Sequence, residues 1–67
     1  MTPVDLATIA AELAVIAEGT DRYRVRVADL ARRDLGDHDD LVGAMHEAER
    51  ALRSAHRALA RATRLAD

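Results

Sequence analysis

Residues 35–40 read Leu35-Gly36-Asp37-His38-Asp39-Asp40, and this short stretch decides the fold. Gly36 suits the left-handed backbone position just past a helix end. Asp37 or Asp39 suits the N-cap of a second helix, where a side-chain oxygen takes up a free backbone N–H. The acidic residues that follow complement the positive end of that helix's dipole. The stretch therefore reads as a turn between two helices, and both flanks support this.

Upstream, Leu6, Ile9, Leu13, Ile16, Thr20, Tyr23, Val27, Leu30 and Asp34 step by three and four residues without a slip. This is a heptad repeat with Leu6 at position a and Ile9 at position d. Thr2-Pro3-Val4-Asp5 opens it with Thr as N-cap, Pro at the first helical position and Asp three residues after the cap. Gly19 falls inside the run, at a cost of about 1 kcal/mol relative to Ala. The heptad phase continues through it, so the pattern predicts one helix over about 3–35 rather than two. Downstream, Leu41, Met45, Ala48, Leu52, Ala55, Leu59, Ala62 and Ala66 step the same way, predicting a helix over about 40–66 after a turn at 36–39. At ~1.5 Å per residue the helices come to about 50 and 42 Å. Near-equal helices with a short connection give an all-α antiparallel hairpin, a single domain over 1–67.

Folding at Gly36–His38 makes facing core residues sum to about 75. Leu30 then meets Met45, Tyr23 meets Leu52 and Ile16 meets Leu59, while Arg24 comes near Glu49 on one flank. More apolar surface remains than such a seam can bury. Ala44, Ala51, Ala58 and Leu65 occupy successive g positions of the second helix, opposite Gly19 on the first. Ala7, Ala10, Ala14, Ala17, Ala28 and Ala31 occupy the b/e side of the first helix. A broad apolar stripe indicates more than one packing neighbour. The expectation is association with a second copy as a four-helix bundle, with another helical protein, or with both. The two surplus faces fall on opposite flanks in this register.

Composition points the same way. A 67-residue chain rarely supplies more than ~3–5 kcal/mol of core stability without a staple. No Cys is present to form a disulfide or a thiolate zinc site. Apolar residues make up 49% of the chain, yet fifteen are Ala and only Tyr23 is aromatic, so the core is extensive and thin. All ten basic residues are Arg, a bias that suggests a GC-rich bacterial or phage genome. The net charge of −2 implies no general pull toward nucleic acid or anionic membrane. No uncharged apolar run approaches ~18 residues, and the start carries Asp5 and Glu12 without a basic leader. A cytoplasmic location is expected.

Candidate chemistry is sparse. His46, Glu49 and His56 share a side of the second helix. The order His-x-x-Glu and the distance of Glu12 and Glu18 argue against a bundle metal site. The acidic turn lacks the spacing and the closing Glu of a calcium loop. There is no glycine-rich phosphate loop and only one Ser, so no catalytic, cofactor or metal residues are assigned. Arg50, Arg53, Arg57, Arg61 and Arg64 form an outer stripe that could track phosphates. The acidic residues elsewhere and the absence of accompanying aromatics favour a solvated face. In length, turn placement and heptads the chain resembles Rop, the small RNA-binding regulator built from two helical hairpins. That resemblance implies a hairpin dimer, with nucleic-acid binding as the alternative function; no diagnostic motif matches, so no residue is carried over. Secreted hairpins of the WXG type are set aside, since their Trp-x-Gly turn has no counterpart at Leu35-Gly36-Asp37-His38.

Overall fold

A computed structural model describes residues 5–67 of the chain. Thr2, Pro3 and Val4, which the sequence assigns to the start of the first helix, lie outside the described residues. Two helices pack against each other: α1 over Asp5–Ala31 and α2 over Asp39–Ala66. The Cα extents are 55 × 16 × 13 Å, the dimensions of two helices side by side. No strand is present among the described residues, and no helix among them is long and apolar enough to cross a membrane. α1 runs unbroken through Gly19, as the continuous heptad phase requires.

α1 ends at Ala31, four residues before the expected boundary. The N–H groups of Arg32 and Arg33 turn to the carbonyls of Asp29 and Leu30, at 3.3 and 3.2 Å, which tightens the last turn. The Asp34 carboxylate then accepts the N–H of Gly36 at 3.1 Å, offering the backbone a local alternative to continued helix. Gly36 itself has φ +62°, so it reverses the chain inside the loop instead of capping α1 directly. The α2 N-cap is His38, with φ −103° and no side-chain capping bond. This replaces the expected Asp37 or Asp39. Asp39 and Asp40 occupy the first turn of α2, where their charge favours the helix end.

The seam differs from the expected one in rotation. Among the described residues the buried ones are Ala10, Ala17 and Ala31, all at position e of the heptad in which Leu6 is a. Leu13, Thr20 and Val27 at a are half-buried beside them. On α2 the half-buried residues are Val42, Met45, Glu49, Leu52, His56, Leu59, Thr63 and Ala66 at a and e, joined near the open end by Ala60 at b and Ala62 at d. Both helices have turned by about 50° from an a/d seam, and the large d residues of α1 have left it. Tyr23 is 66% exposed and Ile16 51% exposed.

Two contacts across the seam explain the rotation and set its register. A His56 ring nitrogen, Nδ1, donates to the backbone carbonyl of Ala17 at 2.9 Å. Arg24 reaches Glu49 at 4.0 Å. In both pairs the residue numbers sum to 73, not 75. A side chain can touch the opposite backbone only where the helices approach closely, which Ala at 10, 17 and 31 permits and Ile16 in that place would prevent. The hydroxyl of Thr20, at the polar a position, donates to the carbonyl of Ile16 within its own helix at 2.8 Å. Register is therefore carried by Arg24, Glu49 and His56.

Candidate interaction face

Turning the seam from a/d to a/e re-sorts every exposed residue. A shallow groove is lined by Ala14, Ala17, Asp21, His56, Ala60 and Thr63, from the b and e positions of both helices, together with Glu18, Arg22 and Arg64 from the adjoining c and f positions. Those positions therefore share one face of the hairpin, and the d and g positions of both helices share the opposite one. This is the symmetry of an antiparallel pair, in which equal heptad letters come to the same side.

On that opposite face α1 presents Ile9, Ile16, Tyr23 and Leu30 in one row, each at least 40% exposed. α2 presents Leu41, Ala48, Ala55 and Ala62 at d, with Ala44, Ala51, Ala58 and Leu65 at g. All of these are exposed except half-buried Ala62, and Leu65 is 78% exposed. No charge interrupts the α2 rows. The two helices differ in relief: α1 carries bulky side chains, and α2 is close to a smooth channel of Ala between two Leu.

Of the residues the sequence singled out for an interface, Ala44, Ala51, Ala58 and Leu65 lie on this face, and half-buried Gly19 sits at its α1 edge. Ala10 and Ala17 do not, being buried at 8% and 6% exposure within the hairpin's own seam. Ala14 is exposed on the other face, where it lines the shallow groove. The two surplus surfaces expected on opposite flanks thus have different fates: the hairpin consumes much of one, and the other remains open. The heptad pattern by itself predicts Ile9, Ile16, Tyr23 and Leu30 in the core, and they lie outside it. The signal against that was present in Ala10, Ala17 and Ala31, whose small size marks the line of closest approach.

The polar residues of the seam form a connected set. Arg24 donates through Nε to Asp21 at 2.9 Å, and Arg53 donates to Glu49 at 3.0 Å. His46 approaches Glu49 at 3.7 Å. The hydrogen bond from Arg24 holds the Asp21 carboxyl below its ordinary pKa of 3.8; desolvation opposes this, and the charges of Arg24, His56 and Arg53 add to it. His46, Glu49 and His56 are thereby committed to structural contacts. Among the described residues no group of three or more His, Asp or Glu side chains is placed to hold a metal ion. Arg50, Arg53, Arg57, Arg61 and Arg64 are all exposed. Arg53 is tied to Glu49, and the five spread over three heptad positions.

The chain matches no protein-family model, no curated protein and no solved structure.

Proposed function

We propose that the chain is a non-enzymatic protein–protein interaction module, an adaptor, inhibitor or assembly factor that works through the d/g face of its hairpin. One observation carries the reading: the chain leaves Ile16, Tyr23, Leu30 and Leu65 exposed along one side while burying, among the described residues, only three Ala. Contiguous exposed apolar surface of this length marks an interaction site on a soluble protein. A core built from buried Ala contributes too little by itself, since apolar burial stabilises by ~25 cal/mol per Å². Covering the d/g face supplies what the seam lacks. Nucleic-acid binding by the Arg stripe is the weaker reading, because Arg53 is engaged with Glu49, Arg50, Arg57 and Arg64 form a single row with no aromatic beside it, and the chain carries a net charge of −2.

Sedimentation equilibrium with helicity followed on the same samples tests this. The paired substitution Ala51→Glu/Ala58→Glu places two charges in the middle of the α2 channel. Helicity and assembly should both fall in the variant. A helical monomer that keeps its cooperative unfolding at the lowest concentration, in both the parent and the variant, would refute the reading.

A further inference from the structure

The d/g face is bordered by charges with an ordered pattern. Along the outer edge of α1, Glu12 lies toward the open end of the hairpin and Arg26 toward the turn, both at g. Along the outer edge of α2, Glu47 lies toward the turn and Arg61 toward the open end, both at c. All four are exposed. None makes an ion pair among the described residues, where the pairs join Arg22 to Glu18, Arg24 to Asp21 and Glu49, Arg32 to Asp29, and Glu49 to His46 and Arg53. The two edges thus carry opposite gradients, and each is the complement of the other.

We propose that the occupant of this face is a second copy of the chain, related by a two-fold axis parallel to the helices, with both turns at the same end. This rests on the interaction-module reading above and names its partner. Such an axis lays α1 of one copy over α2 of the other, antiparallel, and leaves no freedom to slide. Residues at equal height are therefore those whose numbers sum to 73, the value set by Arg24 with Glu49 and Ala17 with His56. Glu12 then meets Arg61 of the second copy, and Arg26 meets Glu47; both pairs sum to 73. A register determined wholly inside one hairpin thus matches opposite charges between two.

Relief agrees with charge. At the same heights Ile16 of one copy enters the gap between Ala55 and Ala58 of the other, and Tyr23 enters the gap between Ala48 and Ala51. Bulky rows in Ala channels are the large-on-small matching that close packing requires. With Cα extents of 55 × 16 Å, the face offers on the order of 800 Å² per copy, the share each partner gives to a standard-size interface. The opposed arrangement, with turns at opposite ends, would set α1 on α1 and α2 on α2. It would pair Glu12 with Arg26 and Glu47 with Arg61, but place bulky rows against each other and Ala rows against Ala.

A charge swap separates these possibilities. Dimerisation is measured by sedimentation equilibrium at low ionic strength for the parent, Arg61→Glu, and Glu12→Arg/Arg61→Glu. Arg61→Glu turns two symmetric attractions into repulsions and should weaken the dimer about 30-fold. The double variant restores both pairs in the proposed arrangement and should return to within about threefold of the parent. In the opposed arrangement it instead sets Arg against Arg and Glu against Glu, and binds more weakly than the single variant; that result overturns the proposal. A monomeric parent also overturns it and gives the face to a different protein. A dimer that Ala51→Glu/Ala58→Glu disrupts, but that is indifferent to both charge variants, keeps the interaction face and refutes this arrangement. A dimer indifferent to all of them refutes both.

Discussion

Ala17→Leu tests the rotated seam directly. Ala17 is 6% exposed, and its carbonyl accepts the His56 ring N–H at 2.9 Å. A Leu at this position adds three carbons where the helices approach most closely. Overpacking of that kind costs about 1–3 kcal/mol. Pushing the helices apart also breaks the His56 hydrogen bond, whose net value is about 0.5–1.5 kcal/mol. The sum, roughly 2–4 kcal/mol, approaches the whole stability that a chain of this size draws from its core. For a domain this small it corresponds to a melting temperature lower by about 10–30 °C. The control is Ala11→Leu, at an exposed position of the same helix, where a change within about 0.5 kcal/mol is expected. Urea and thermal unfolding followed by circular dichroism, at one fixed protein concentration, give both values. In an a/d seam position 17 would be a flank that tolerates Leu as position 11 does. Equal behaviour of the two variants would therefore sink the a/e seam, and the two faces derived from it.

Two further outcomes follow from the same geometry. Gly36→Ala should cost about 1 kcal/mol, since Gly36 has φ +62° and a Cβ there meets nothing within 4 Å, leaving backbone strain as the only penalty. Gly43→Ala, inside α2 and equally open, should raise stability by a similar amount; paired unfolding curves check the opposite signs. For pH, the folded-state pKa of Asp21 is lowered by Arg24. Its contribution is then fully present above the ordinary value of 3.8 and is lost as pH falls through the lower folded value. Asp21→Asn should flatten the stability profile below pH 3.8 and leave the neutral region nearly level; an unchanged acid limb would show that the Asp21–Arg24 bond does not persist in solution.

The hairpin was legible because its signals are local. Heptad spacing on both sides of Gly36 specifies two helices, and an unbroken phase across Gly19 specifies that the first is continuous. The end of α1 was not legible, because the Asp34 carboxylate engages the Gly36 N–H and no spacing rule anticipates that local bond. The rotation is not legible for a different reason. Hydrophobic periodicity ranks Ile16 and Tyr23 above Ala17 as core residues, and transfer energy alone supports that ranking. Close approach of two helices selects instead for small residues on the line of contact. That choice depends on Arg24 finding Glu49 and His56 finding a carbonyl, and both contacts join residues far apart in the chain. The open face is half legible for the same reason: the g row of α2 reads as surplus apolar surface, whereas Ile9, Ile16, Tyr23 and Leu30 of α1 read as interior.

The polar middle of the seam bears on what the turn is free to be. Heptad repeats are degenerate, since sliding one helix by seven residues restores most apolar matches. Here such a slip would leave the Glu49 carboxylate facing Ala31 or Ala17, and Arg24 facing His56 or Val42. Each slipped state gives up the contact between Arg24 and Glu49, the one ion pair that joins the two helices among the described residues. The pairing of the two helices is consequently specified some twenty Å from the loop that connects them. Residues 32–38 need only span the gap, so substitutions and modest changes of length in that segment leave unaltered which side chains meet, and with them the face the hairpin shows to its surroundings.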